Sequence, residues 1–286
     1  MTTSTVEPTK IRAPFSLATE LRRQGSRPRT RIALGFMVVL PLIILLAFEF
    51  GGADGDGPRG SGAFSSLTTL ATAGGLNFAL FTLLVSASFL LVVVVALFFG
   101  DTVASEASWG SLRYLLAIPV PRARLLGVKL LAALIYSALA LLLLVGTALL
   151  AGLARYGARP LRSTVADQLS AGEALGRLGV ATGYIGLTML TVAMLAFLLS
   201  VSTDAPLGAV GGAVLLHILS SILDQIEALG AIRSFLPTHF ANAWVALLST
   251  PVQTESMVRG VISALSYATI FGALAFVKFL RKDITS

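Results

Sequence analysis

The chain has 286 residues, 56% of them hydrophobic and only 12% charged, with a mean hydropathy of +0.87. A water-soluble domain carries about 25% charged residues, so this chain is built to be solvated by lipid, and little length remains for a soluble catalytic domain. A net charge of +7 could suit nucleic acid in a soluble protein. Here the basic residues flank apolar runs, where membrane topology needs them, and no nucleic-acid partner is expected. The absence of cysteine excludes disulfides, thiolate metal sites and a cysteine nucleophile.

Residues 1–14 are polar and aperiodic, which predicts a disordered start. The stretch FSLATELRR then places Phe15, Leu17, Ala18 and Leu21 on one helical face, with Glu20, Arg22 and Arg23 on the other. This reads either as an amphipathic helix lying in the membrane interface or as a plain basic anchor for the first span. The first apolar run follows a long basic tail and ends in Glu49, Phe50, Gly51 and Gly52. With no small-residue cleavage site there, it reads as a retained anchor rather than a signal peptide.

About 20 apolar residues in a helix cross a hydrocarbon core of about 30 Å. Six stretches meet or approach that length: 32–50, 77–99, 130–153, 178–201, 207–223 and 258–280. The expected fold is therefore all-α and integral to the membrane, with a tail over 1–31, a six-helix domain over 32–280 and a short end over 281–286. Between spans one and two, GGADGDGPRGSG is Gly-rich, but it follows a span and lacks the Lys-Ser/Thr pair of a P-loop.

Loop charge sets the orientation. The N-terminal tail carries Lys10 and six arginines, the loop after span two carries Arg113, Arg122, Arg124 and Lys129, and the end carries Lys278, Arg281 and Lys282, fourteen of the 21 basic residues. These segments share one side of a six-span protein, so both termini are expected in the cytoplasm of a multi-pass membrane protein. The loop between spans three and four, with Arg155, Arg159, Arg162 and Arg177, carries positive charge on the other side.

The loop over 100–129 is the most informative stretch. Trp109, Leu112 and Leu116 recur at helical spacing, and Pro119 and Pro121 would end such a helix. A short amphipathic helix on a tight loop suits a groove on a soluble partner, or it only positions spans two and three. Farther on, the segment over 224–256 holds Pro237 and Pro251 around an apolar run at 240–248, which predicts one or two short helices at the opposite membrane surface.

Polar residues within the spans are few. Glu49 ends span one in the interface. In span five His217 and Ser221, and likewise Ser220 and Asp224, lie four apart and share a face. That face is a candidate substrate path or dimer contact. Asn77, Ser86, Ser88, Tyr136 and Ser137 are weaker candidates, and Gly208, Gly211 and Gly212 favour close helix packing. No charge ladder marks a proton-coupled carrier.

The loop pattern EASWGSLRYLLAIPVPR, with Glu106, Gly110, Ser111, Leu112, Arg113, Pro119 and Arg122 followed by Lys129, resembles the permease subunits of ABC-2 type ABC transporters, in the exporter branch. TELRRQ before span one and FVKFLRKDI after span six, with Phe279, Arg281 and Asp283, are similar to that family's interface helix and closing motif. Ser111 stands where the family commonly has threonine, which keeps the hydroxyl. The resemblance implies a bacterial plasma-membrane exporter subunit that pairs with a second copy or a related permease. It also implies docking of a separate ABC ATP-binding subunit, which carries ATP and Mg, so that no cofactor and no catalysis belong to this chain. The short cytoplasmic helix around Glu106, Trp109, Gly110, Leu112, Arg113 and Leu116 would then couple nucleotide closure to the spans.

Rival functions gain less from the residues. His217 beside Ser220 or Ser221 has no nucleophile elbow around it, and no His-Glu-x-x-His metal site exists, so an enzyme is not expected. A stand-alone secondary carrier or a membrane assembly factor is the alternative. With few charges in the spans, the substrate expected is an amphipathic drug, lipid or peptide.

Overall fold

The structure, a computed structural model, describes residues 16–50, 68–110, 121–161, 170–249 and 251–282. The expected start over 1–14, the Gly-rich loop and most of the coupling segment, 111–120, lie outside the described residues. Among the described residues there is no strand. The helices are α1 (Leu17–Ser26), α2 (Pro28–Phe50), α3 (Gly75–Ala87), α4 (Leu90–Ser108), α5 (Arg122–Tyr156), α6 (Ala171–Ser202), α7 (Pro206–Asp224) and α8 (Glu255–Leu280), with short 3-10 turns at Glu227–Phe235 and Ala243–Leu248. Six of them, α2 and α4 to α8, are long and apolar enough to cross a membrane.

Local chemistry sets the boundaries. Arg27 is extended because it precedes Pro28, which opens α2 at the position where a missing N–H costs nothing. Pro41 inside α2 leaves the Met37 carbonyl without its helical donor. Thr147 Oγ1 of α5 stands 3.5 Å from that oxygen. The Ser170 hydroxyl caps α6 by accepting from the Glu173 N–H at 3.3 Å. Gly110, at φ 66, closes α4 with its N–H on the Ala107 carbonyl, a left-handed turn that a Cβ would oppose.

The span expected over 77–99 is two helices. α3 ends at Ala87, Phe89 leaves helical geometry at φ −138 and ψ −59, and α4 restarts at Leu90. The break falls where Ser86 and Ser88 flank Ala87, and Ser88 Oγ turns back to donate to the Leu84 carbonyl at 3.3 Å.

Helix α4 is the centre of the bundle. Its apolar window is 78% buried, against 17% for α2, α7 and α8, whose leucines and isoleucines face outward. This is the arrangement expected when lipid replaces water around a helix bundle. α3 meets α5 at two glycines: a Cβ on Gly75 would lie 2.6 Å from Leu153 N, and one on Gly152 would lie 2.7 Å from the Gly75 carbonyl oxygen. At the same end Glu49 of α2 accepts a two-pronged bond from Arg155 of α5, at 2.7 and 2.8 Å.

The segment after α7 packs across that end. Arg177 donates to the Leu247 and Ser249 carbonyls, and Tyr184 OH donates to the Phe240 carbonyl at 2.6 Å. The two short helical turns fall within the segment where the prolines and the 240–248 run predict them.

Candidate functional site

At the other end of the bundle, α1, the end of α4 and the beginning of α5 enclose a cluster of charges. Two of these helices run farther than the apolar spans. α4 continues eight residues past Gly100, carrying Asp101 and Glu106, and α5 starts eight residues before Leu130, carrying Lys129. Exposure of Glu20, Glu106 and Lys129 is 1%, 2% and 1%. Burying an ion is costly unless it is paired and hydrogen-bonded, and here each is.

Lys129 Nζ lies 2.5 Å from Glu106 Oε1 and 3.6 Å from Glu20 Oε1, and donates to the Thr102 carbonyl at 3.3 Å. Arg23 bridges the same two carboxylates, at 2.8 Å to Glu20 Oε2 and in contact with Glu106. Gln24 Nε2 donates to Glu20 Oε1 at 2.8 Å. One turn back along α4, Asp101 receives Arg27 at 2.9 Å and also Arg29, so the start of α2 joins the cluster. Tyr136 of α5 closes it by donating to the Leu21 carbonyl at 2.6 Å, with Gly25 leaving room for the phenol: a Cβ there would lie 2.5 Å from its oxygen.

Two of these groups sit outside the long apolar helices, and their ionisation follows from the geometry. Burial pushes the Glu20 carboxyl up, but Lys129 and Arg23, with the Gln24 hydrogen bond, outweigh it and hold the group below its ordinary range. Burial works against the Arg23 charge, while Glu106 and Glu20 together raise its pKa.

This arrangement corrects the expected facing of α1. Amphipathic periodicity places Glu20 with Arg22 and Arg23 on the outer, polar face. Glu20 and Gln24 are instead the buried residues of α1, Arg22 is exposed, and Ala18 of the apolar face is exposed too. The buried lysine of α5 outcompetes water for the Glu20 carboxylate, while Leu17 and Leu21 of the apolar face stay half-buried.

Other expected residues fall in different places. Trp109 caps α4 at 75% exposure. Arg122 donates to the Leu280 and Lys282 carbonyls, tying the start of α5 to the end of α8. Leu112, Arg113, Leu116 and Pro119 lie outside the described residues. In α7, Ser220 shares a hydrogen bond of 2.7 Å with Thr238, Asp224 lies 2.5 Å from His239 Nδ1, and Ser221 Oγ donates to the His217 carbonyl, so three of these side chains hold the turn after α7 and its last coils. None of the four lines the large cavity of the bundle.

That cavity is an apolar cleft of about 660 Å³ between α4, α5 and α6, with Leu91, Val95 and Phe99 of α4 as its floor. Phe99 is seven residues from Glu106 on the same helix, roughly 10 Å along its axis. The cleft and the charge cluster thus share α4 and α5.

Sequence reading passed over Asp101, took Arg27 and Arg29 only as charges that set topology, and gave Gln24 no role beyond the TELRRQ motif. Asp101 had one signal, an acidic residue directly after the apolar run that ends in Phe99 and Gly100. Among the described residues no three His, Asp or Glu side chains gather as a metal site.

Residues 59–285 match the family DUF2705, described as a protein of unknown function. The chain belongs to that family. No curated protein matches it. In DUF2705 terms, the matched region contains α3 to α8, and so Asp101, Glu106 and Lys129, while α1 and α2 with Glu20, Arg23, Arg27 and Arg29 precede it.

Proposed function

We propose that this chain is the membrane-spanning permease subunit of an ATP-driven exporter, with ATP hydrolysis on a separate ABC ATP-binding chain and a second permease copy or a related permease completing the pathway. The observation that carries the reading is the position of the charge cluster. Glu106 lies just before the end of α4 and Lys129 two turns into α5, so the loop over 109–121 leaves and returns through one buried ionic knot that also holds α1. A partner pressing on that loop would move α4, α5 and α1 together rather than bend a free loop. Because α4 and α5 wall the apolar cleft, the displacement would reach a space suited to an amphipathic substrate.

The same reading places the cluster in the cytoplasm. The arginines of α1 and the start of α2, together with Arg122, Arg124, Lys278, Arg281 and Lys282, gather at this end, and positive charge is retained on the cytoplasmic side. Coupling would fall to Glu106, Trp109, Gly110 and Arg122, with Leu112, Arg113, Leu116 and Pro119 in the intervening segment. Support comes from the loop motif and from the burial of its acidic residue against α1.

The experiment is co-expression with the ABC ATP-binding proteins of the same organism, followed by affinity purification in mild detergent. Stable co-elution that is lost on changing Arg113 to Ala supports the permease reading. A wild-type chain that binds no such ATPase contradicts it and favours a stand-alone carrier or an assembly factor.

A further inference from the structure

The cleft between α5 and α6 has properties that identify its occupant independently of the exporter reading. It runs along α5 over 134–149 and along α6 over 175–193, a length of roughly 22 Å at 1.5 Å per residue, most of a hydrocarbon core of about 30 Å. Among the described residues no charged side chain lines it. Its two hydroxyls are Thr182, which donates to the Leu178 carbonyl at 2.8 Å, and Ser137, whose buried Oγ has no hydrogen-bond partner. One free hydroxyl does not hold water, which needs two to four polar partners.

The width comes from glycine. Gly179 and Gly183 of α6 face the cleft, and a Cβ at either would meet nothing within 4 Å. Each costs a helix about 1 kcal/mol relative to alanine, and no contact within the chain requires it. The rim is open and apolar, with Leu142 62% exposed and Leu175 51% exposed, so the mouth faces hydrocarbon rather than water. A single extended hydrocarbon chain fits a space of about 660 Å³ and supplies the dispersion contacts that an empty apolar space forfeits.

We propose that this cleft binds one acyl chain of a membrane phospholipid, entering sideways from the bilayer and lying along the bare backbone at Gly179 and Gly183.

The test uses the full chain in nanodiscs of phosphatidylcholine carrying a photoreactive diazirine near the end of one acyl chain, with adducts mapped by peptide mass spectrometry. Labelling per residue on the 134–149 and 175–193 cleft faces is expected to exceed that on Ile262 and Ile270 of α8, which are exposed and lie outside the cleft. Gly183→Leu and Gly179→Leu, whose side chains grow into open space, are expected to cut cleft labelling several-fold and leave α8 labelling unchanged. Equal labelling of the cleft and α8 in the wild type overturns the proposal even if a variant fails to fold, as do unchanged yields in both folded variants. Labelling by a free diazirine fatty acid but not by the phospholipid overturns the lipid source. A Gly183→Cys chain that forms a disulfide with a second copy, in an otherwise cysteine-free sequence, shows that protein covers the cleft instead.

Discussion

Lys129 and Glu106 meet at 2.5 Å with both side chains almost completely buried, from helices separated by the loop over 109–121. Removing one member of such a pair leaves a buried charge uncompensated, at a cost of about 3–5 kcal/mol. Lys129→Met and Glu106→Gln alone are each expected to destabilise by about that much in reversible unfolding from detergent. The double variant is expected to lose markedly less than the sum, because each change removes the other's orphaned charge. Additive losses would mean that the two groups act separately.

Glu20 makes the docking of α1 sensitive to acid. Its pKa is lower in the folded chain than in the unfolded one, so unfolding takes up a proton. The stability it contributes is whole above the ordinary carboxylate range and is lost as pH falls through the depressed native value. Limited proteolysis at the α1–α2 junction should be constant from neutral pH down to the carboxylate range and accelerate below it. Glu20→Gln should cleave faster at neutral pH and lose most of the acid dependence. An unchanged acid response in that variant would assign it to another group.

Two glycines of the same bundle are expected to respond oppositely to alanine. Gly152→Ala forces a methyl to 2.7 Å from the Gly75 carbonyl oxygen, an overpacking cost of about 1–3 kcal/mol. Gly183→Ala meets nothing and gains helix propensity, up to about 1 kcal/mol. Thermal unfolding of the two variants side by side separates packing glycines from the one that keeps the cleft open.

At the opposite end, the Glu49 and Arg155 pair has good two-pronged geometry but lies open to its surroundings. Exposed pairs contribute little. Glu49→Gln is expected to leave the unfolding midpoint close to wild type, while Lys129→Met lowers it clearly. A comparable drop in both would show that the Glu49 and Arg155 pair clamps α2 to α5.

The long helices were legible because lipid demands an apolar run of sufficient length, and the runs at 32–50, 207–223 and 258–280 lie almost on α2, α7 and α8. Helix ends were less so. α5 and α6 extend beyond their apolar stretches because capping and ion pairing, at Ser170 and at Lys129, carry a helix into polar sequence. The break at Phe89 sits inside a continuous apolar run with only two serines to announce it. Glu20 was misplaced for a general reason: periodicity assigns charged faces to water, and its partner, 109 positions away on α5, leaves no local trace.

In the proposed exporter, force enters through the loop over 109–121 and is carried by the cluster. The most direct test is the ATPase rate of the complex with an ABC ATP-binding protein from the same organism, reconstituted in nanodiscs, for wild type and Glu106→Gln, with Glu49→Gln as control. Normal assembly with a several-fold lower rate in Glu106→Gln, and a wild-type rate in Glu49→Gln, is the predicted result. An unchanged rate in the folded, assembled Glu106→Gln complex would contradict the claim.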